Sequence, residues 1–165
     1  MDRIQRGGGV LMLNLTTLAA FAILMPQTAP REMPALDLKD TKGKRWTNDV
    51  LRKEGKVTLV EFWATWCTSC KQMEPMLKEL YGKFKGDKFE MLSITIDETP
   101  ADVIKHLKAK PFPNPVLLDT AGKAWKEWKV QNVPAFFLIK DGKIVWEAKG
   151  LQTRETLDKE IQRQL

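Results

Sequence analysis

The sequence predicts an α/β fold in which a mixed central β-sheet is flanked by helices. Three observations predict it. Two strand–helix–strand patterns follow one another, a nearly continuous apolar run at Val57 to Ala64 has the pattern of a strand buried on both faces, and a late hairpin joined by Asp141-Gly142 leads into a terminal helix.

Taken in order, Pro26, Pro30 and Pro34 stand among polar residues, which reads as an extended linker over residues 26 to 34. Ala35 to Lys39 and Lys44 to Thr47 read as short strands about the turn Asp40-Thr41-Lys42-Gly43, where Gly43 tolerates a positive φ. Val57 to Ala64 is the buried strand, interrupted by Glu61. Beyond Cys67, Met73, Met76, Leu77, Leu80, Tyr81 and Phe84 fall at spacings of three and four, the stripe of an amphipathic helix. Pro75 inside it removes a backbone donor and is expected to kink it. Phe89 to Asp97 alternates as a strand. Thr99-Pro100 then opens a helix, with Thr99 as the N-cap acceptor and Val103, Ile104 and Leu107 as its inner face. Pro111, Pro113 and Pro115 end that helix, Val116 to Leu118 is a short strand, and Ala121 to Lys129 a helix with Trp125 and Trp128 on one side. Ala135 to Lys140 and Lys143 to Lys149 pair across Asp141-Gly142, and Thr153 caps a last helix that turns Leu157 and Ile161 inward.

The chain has 165 residues, and a hydrophobic content of 43% beside 29% charged residues excludes both a disordered chain and a polytopic membrane protein. Residues 1–29 read as a signal peptide or single membrane anchor plus linker: Arg3 and Arg6 precede an apolar run from Val10 to Met25, shorter than the ~20 residues that span a bilayer comfortably. Ala20-Phe21-Ala22 fits a small-x-small cleavage signal. Residues 30–165 then form one domain, exported to the periplasm or held facing the extracytoplasmic side. The net charge of +6 comes from Lys and Arg scattered among Asp and Glu, which argues against nucleic-acid binding.

The two cysteines lie three positions apart, too close to staple a framework. Phe62-Trp63-Ala64-Thr65-Trp66-Cys67-Thr68-Ser69-Cys70-Lys71 sets this Cys-x-x-Cys between a buried strand and a helix start. Unpaired N–H groups and the positive helix end favour a thiolate at Cys67, the attacking sulfur. Cys70, about one turn further in, is placed to attack a mixed disulfide on Cys67 and release the reduced substrate. His106 reads as a surface residue, and two Cys with one distant His do not make a metal site.

The run from Val57 to Lys71 resembles the active-site segment of thioredoxins, above all the exported thioredoxin-like proteins of the TlpA/ResA type. The Asp37-Leu38-Lys39-Asp40 to Lys44 hairpin, Val133-Pro134 and Asp141-Gly142-Lys143 extend the likeness over roughly residues 33–165. It implies a thioredoxin fold with an N-terminal β-hairpin extension and an inserted βα element, and neither cofactor nor metal. It also implies a cis bond at Val133-Pro134, with Val133 offering backbone groups to a substrate strand; the alternative is a trans proline that starts a strand. Glu61, six residues before Cys67, matches the buried acid of thioredoxins and would take and return the proton of Cys70; the alternative is a solvent-facing strand Glu. Trp66 matches an exposed tryptophan that offers substrate a flat apolar platform, whereas Trp63, Trp125, Trp128 and Trp146 read as core.

The chain departs from these relatives at three places. Thr68-Ser69 stands where thioredoxins have Gly-Pro, Met73 stands where some exported relatives carry Glu, with Glu74 pointing elsewhere on the helix, and Val133 stands where Thr is frequent. The expected function is disulfide exchange on exported thiol or disulfide proteins through Cys67 and Cys70, as a reductase supplied by a membrane electron donor. A docking module with an inert disulfide is the alternative from another class, and a peroxide-reducing variant a third.

Overall fold

The structure, a computed structural model, describes residues 29–165 except Glu98. The expected leader, its cleavage signal and the first part of the linker, residues 1–28, lie outside the described residues.

The chain begins with β1 (Arg31–Glu32), the hairpin strands β2 (Asp37–Lys39) and β3 (Arg45–Thr47), and a one-turn helix α1 (Asn48–Leu51). Next come β4 (Val57–Trp63), α2 (Thr68–Phe84), β5 (Phe89–Thr95), α3 (Pro100–Ala109) and β6 (Val116–Leu118). The last part holds α4 (Lys123–Glu127), β7 (Ala135–Lys140), β8 (Lys143–Lys149) and α5 (Arg154–Gln164). The large sheet has the order β1-β8-β7-β4-β5-β6. Parallel pairing of β4 with β5 and of β5 with β6 meets antiparallel pairing of β4 with β7 and of β7 with β8, so the sheet is mixed and β4 lies inside it.

Every residue of β4 is buried, as its nearly continuous apolar composition requires of a strand covered on both faces. Alternation divides it. Val57 and Leu59 pack with Met73, Leu77 and Leu80 of α2 and with Leu157 and Ile161 of α5. Val60 and Phe62 pack on the opposite face with Trp46, Trp128 and Phe137. A third cluster, at the C-terminal end of β4, gathers Trp63, Ala64, Cys67, Cys70, Val103 and Val116. Trp125 and Trp146 are partly buried against the two larger clusters.

Several local expectations are corrected. The stretch expected as a linker contributes β1, which pairs with β8, and Met33 is buried with its N–H on the Gly142 carbonyl at 3.0 Å. Thr99 stands at the N-cap of α3 without its hydroxyl accepting a bond, so Pro100 is the signal that holds there. Ile104 is 43% exposed. The inner stripe of α3 is instead Val103, His106 and Leu107, the i, i+3, i+4 set. The helix expected from Ala121 starts at Lys123, because Gly122 takes the N-cap at φ 61° and the buried Asp119 carboxylate accepts from the Ala124 and Trp125 amides. At Asp141-Gly142 both residues have positive φ, 51° and 78°, the two-residue hairpin geometry that this dipeptide favours.

Candidate active site

The site forms where the parallel strands end and α2 begins. β4 delivers Trp63 into the core, the chain turns over Ala64-Thr65-Trp66, and Cys67 becomes the N-cap of α2 with extended backbone, φ −79° and ψ 110°. The turn is pinned by Asp97, just beyond β5. Its buried carboxylate accepts from Thr65 N–H at 2.9 Å and from the Thr65 hydroxyl at 2.7 Å, and the Thr95 hydroxyl also donates to it. The Ile96 N–H donates to the Trp63 carbonyl at 3.0 Å, so the end of β5 clasps the approach to Cys67 from both sides.

Cys67 and Cys70 are joined as a disulfide, with Cα atoms 5.3 Å apart, so this is the oxidised form. Cys67 is 5% exposed and Cys70 1%. The Cys70 amide donates to Cys67 Sγ at 3.1 Å. The Ser69 hydroxyl lies 3.4 Å from the same sulfur and must be the donor, since a disulfide sulfur carries no proton. Both donors would still be there for a thiolate. The spacing of the pair predicts the amide, but not Ser69, whose reach depends on the rotamer it takes in the first turn.

The remaining expected residues divide by position. Trp66 is 65% exposed beside Cys67. The Val133-Pro134 bond is cis. Val133 packs against the cluster that holds both cysteines, and Pro134 directly precedes the first residue of β7, Ala135, which pairs with Phe62. Glu61 is 2% exposed and its Oε2 accepts from Ser93 Oγ at 2.9 Å. Burial is the main cause that raises its pKa from 4.5 to about 7; the Ser93 hydrogen bond opposes this and the charge of Glu74 adds to it. Strand alternation puts Glu61 on the same face as Trp63, two residues short of the sulfur cluster.

Two expectations about neighbouring side chains are overturned. Glu74 does not point away. It is 5% exposed, because Cys70, Met73, Glu74 and Leu77 stand at i, i+3, i+4 and i+7 and share the buried stripe of α2. His106 is not a surface residue. Its ring packs on Trp63 with centroids 5.3 Å apart and on Phe112 at 6.1 Å, and its Nε2 lies 3.0 Å from Glu74 Oε1. The spacing of three from Val103 carried that signal.

The family model described as the AhpC/TSA family matches residues 30–147. The thiol-disulfide oxidoreductase ResA of Bacillus thuringiensis subsp. konkukian is 34% identical over 134 residues, covering 81% of this chain and 76% of its own. Among solved structures, a thiol-disulfide oxidoreductase from Bacteroides fragilis superposes with a TM-score of 0.72 at 24% identity, over 82% of this chain and all of its own, a likeness of fold. The exposed lipoprotein thioredoxin Etrx1 of Streptococcus pneumoniae gives a TM-score of 0.69 at 25% identity, over 78% of this chain and 98% of its own. The mixed sheet flanked by helices is a thioredoxin fold, and with a Cys-x-x-Cys at the mouth of its second helix the chain belongs to the AhpC/TSA family as a ResA-like thiol-disulfide oxidoreductase.

Proposed function

We propose that this oxidoreductase is an exported disulfide reductase. In the reduced protein the Cys67 thiolate attacks a substrate disulfide, forms a mixed disulfide and expels one substrate thiolate. Cys70 gives its proton to Glu61 and attacks the Cys67 sulfur; the mixed S–S bond breaks, the second substrate thiolate leaves, and the Cys67–Cys70 disulfide remains. The substrate gains two electrons and the protein loses two. A membrane electron donor then restores the dithiol. The observation that carries this reading is the pair of donors on Cys67 Sγ, the Cys70 amide and the Ser69 hydroxyl, at a helix entrance backed by a buried carboxyl group.

Trp66 and the Val133-Pro134 loop flank the sulfurs and receive the substrate strand, the tryptophan as an apolar platform and Val133 through its backbone. Residues 1–29 serve as leader or anchor with linker, and residues 30–165 work on the extracytoplasmic side; the lipoprotein relative from Streptococcus pneumoniae supports that placement. Among the described residues no helix is long and apolar enough to cross a membrane, which leaves any anchor to the N-terminal segment. The docking-module alternative is disfavoured by relatives that are themselves oxidoreductases.

The reduction potential of the dithiol tests the direction. A value near ~−270 mV, that of thioredoxin, is the expected result, and a value near ~−120 mV would make the protein an oxidant instead.

A further inference from the structure

Behind the dithiol lies a set of buried polar groups that disulfide exchange alone does not explain. Glu61, Glu74, Lys78, Ser93, Phe112 and Asn114 line a small cavity of about 10 Å3, the threshold for one water molecule. Asn114 Nδ2 donates to Ser93 Oγ at 3.0 Å, which commits the Ser93 proton to Glu61, while Asn114 Oδ1 is buried and unpaired among the described residues. From this cavity Glu74 reaches outward. Its Oε1 meets His106 Nε2 at 3.0 Å, and Lys78 Nζ lies 3.9 Å from Oε2. The His106 ring is held by Trp63 and Phe112, yet its side chain keeps 12% of its surface in solvent.

We infer that Glu74 and His106 form a proton conduit between Glu61 and solvent. Neither residue touches a sulfur; both act through Glu61, as positioning residues for its proton, and the inference therefore rests on Glu61 being the base for Cys70. When Glu61 holds the proton taken from Cys70, the proton crosses the cavity to the Glu74 carboxylate. Protonated Glu74 then donates to Nε2 as the imidazole releases its Nδ1 proton to water. The carboxylates end ionised and the imidazole neutral, so charge balances. The reverse sequence returns a proton to Cys70 when the dithiol is regenerated.

The route has a physical reason. Glu61 is shut off from bulk water, so its proton comes to equilibrium with solvent only through groups that connect the two. Titratable groups facing it are few. α2 supplies Glu74 and Lys78, α3 supplies His106 behind Glu74, and β5, β7 and the loop before β6 supply the uncharged Ser93, Phe136 and Asn114. Lys78, itself 31% exposed, steadies the Glu74 charge between transfers.

Reduced protein held at about pH 5, where Glu61 carries its proton, and mixed rapidly with dithiobis-nitrobenzoate at about pH 8 separates the steps: the first thionitrobenzoate released reports attack by Cys67, and the second reports attack by Cys70, which waits until Glu61 has lost its proton. In His106→Gln the ratio of second to first rate after this pH jump is expected to fall about tenfold, against the ~10²-fold or more expected for Glu61→Gln. Imidazole buffer should restore the His106→Gln ratio in proportion to its concentration, which a purely structural contact would not allow. An unchanged ratio in His106→Gln with a slowed Glu61→Gln overturns the conduit and leaves Glu61 as the base. An unchanged Glu61→Gln overturns both. A second variant leaves His106 in place: Glu74→Gln keeps the shape of the side chain but cannot carry the proton, so it should slow the second step to a similar extent, and an unchanged ratio overturns the conduit.

Discussion

Glu61 is held where a carboxyl group is poorly solvated, and its titration therefore becomes a stability term. Its pKa rises from 4.5 to about 7, chiefly through burial, so the folded protein keeps a proton that the unfolded chain has already lost. Stability from this group is full below about pH 4.5 and is lost as pH climbs through about 7, a change on the order of 3 kcal/mol. Urea unfolding between about pH 4 and 8 should show that decline in the oxidised wild type and its disappearance in Glu61→Gln. Parallel profiles for the two proteins would refute it. Asp97 contributes differently, through geometry. Removing its carboxylate in Asp97→Ala strands the Thr65 amide and hydroxyl and the Thr95 hydroxyl, and should cost about 3 kcal/mol. Asp97→Asn keeps one acceptor and should cost less; equal stability for wild type and Asp97→Ala would show that the turn before Cys67 holds itself.

At the scale of elements, the β7–β8 hairpin ties the sheet to the start of the chain. Gly142 turns at φ 78° and its carbonyl receives the Met33 amide, while a Cβ there would meet Arg52 Cγ at 2.5 Å. Gly142→Ala should lower stability by about 1–2 kcal/mol in chemical unfolding and loosen β1 from β8, visible as faster amide exchange at Met33. Unchanged stability would mean that Arg52 and the turn adapt freely. The same hairpin was legible in full, because an Asp-Gly pair between apolar runs fixes both strands and turn. β4 and α2 were equally legible from period and composition, and with them the placing of Cys67 and Cys70 at a helix start, whereas the exposure of Trp66 and the burial of Glu61 were legible through the resemblance to thioredoxins. What escaped were partnerships between elements. Glu74 and His106 meet from helices 32 positions apart in sequence, and Asp97 reaches Thr65 across the same separation. A helical stripe shows which residues face inward, and nothing local shows what they face. β1 and α1 escaped for a related reason: their short segments carry too few residues for a period, and tertiary pairing makes them regular.

Across the whole molecule, the sheet places its chemistry at one end. Both faces of β4 are filled mainly with apolar side chains; of the buried polar groups, Asp40 and Asp119 hold loops elsewhere, while Asp97 fixes the turn before Cys67 and Glu61 and Glu74 lie with His106 beside the cluster that holds the dithiol. In the proposed mechanism the two cysteines have unequal roles, because α2 sets one at its mouth, with two donors on its sulfur, and the other inside its first turn. That inequality is the central claim, and trapping tests it directly. Reduced Cys70→Ser and Cys67→Ser proteins, each treated with a disulfide peptide and analysed by mass spectrometry, should behave differently. Cys70→Ser should accumulate one stable mixed disulfide on Cys67, and Cys67→Ser should form almost none in the same time. Equal trapping on Cys70 in the Cys67→Ser protein would contradict the assignment.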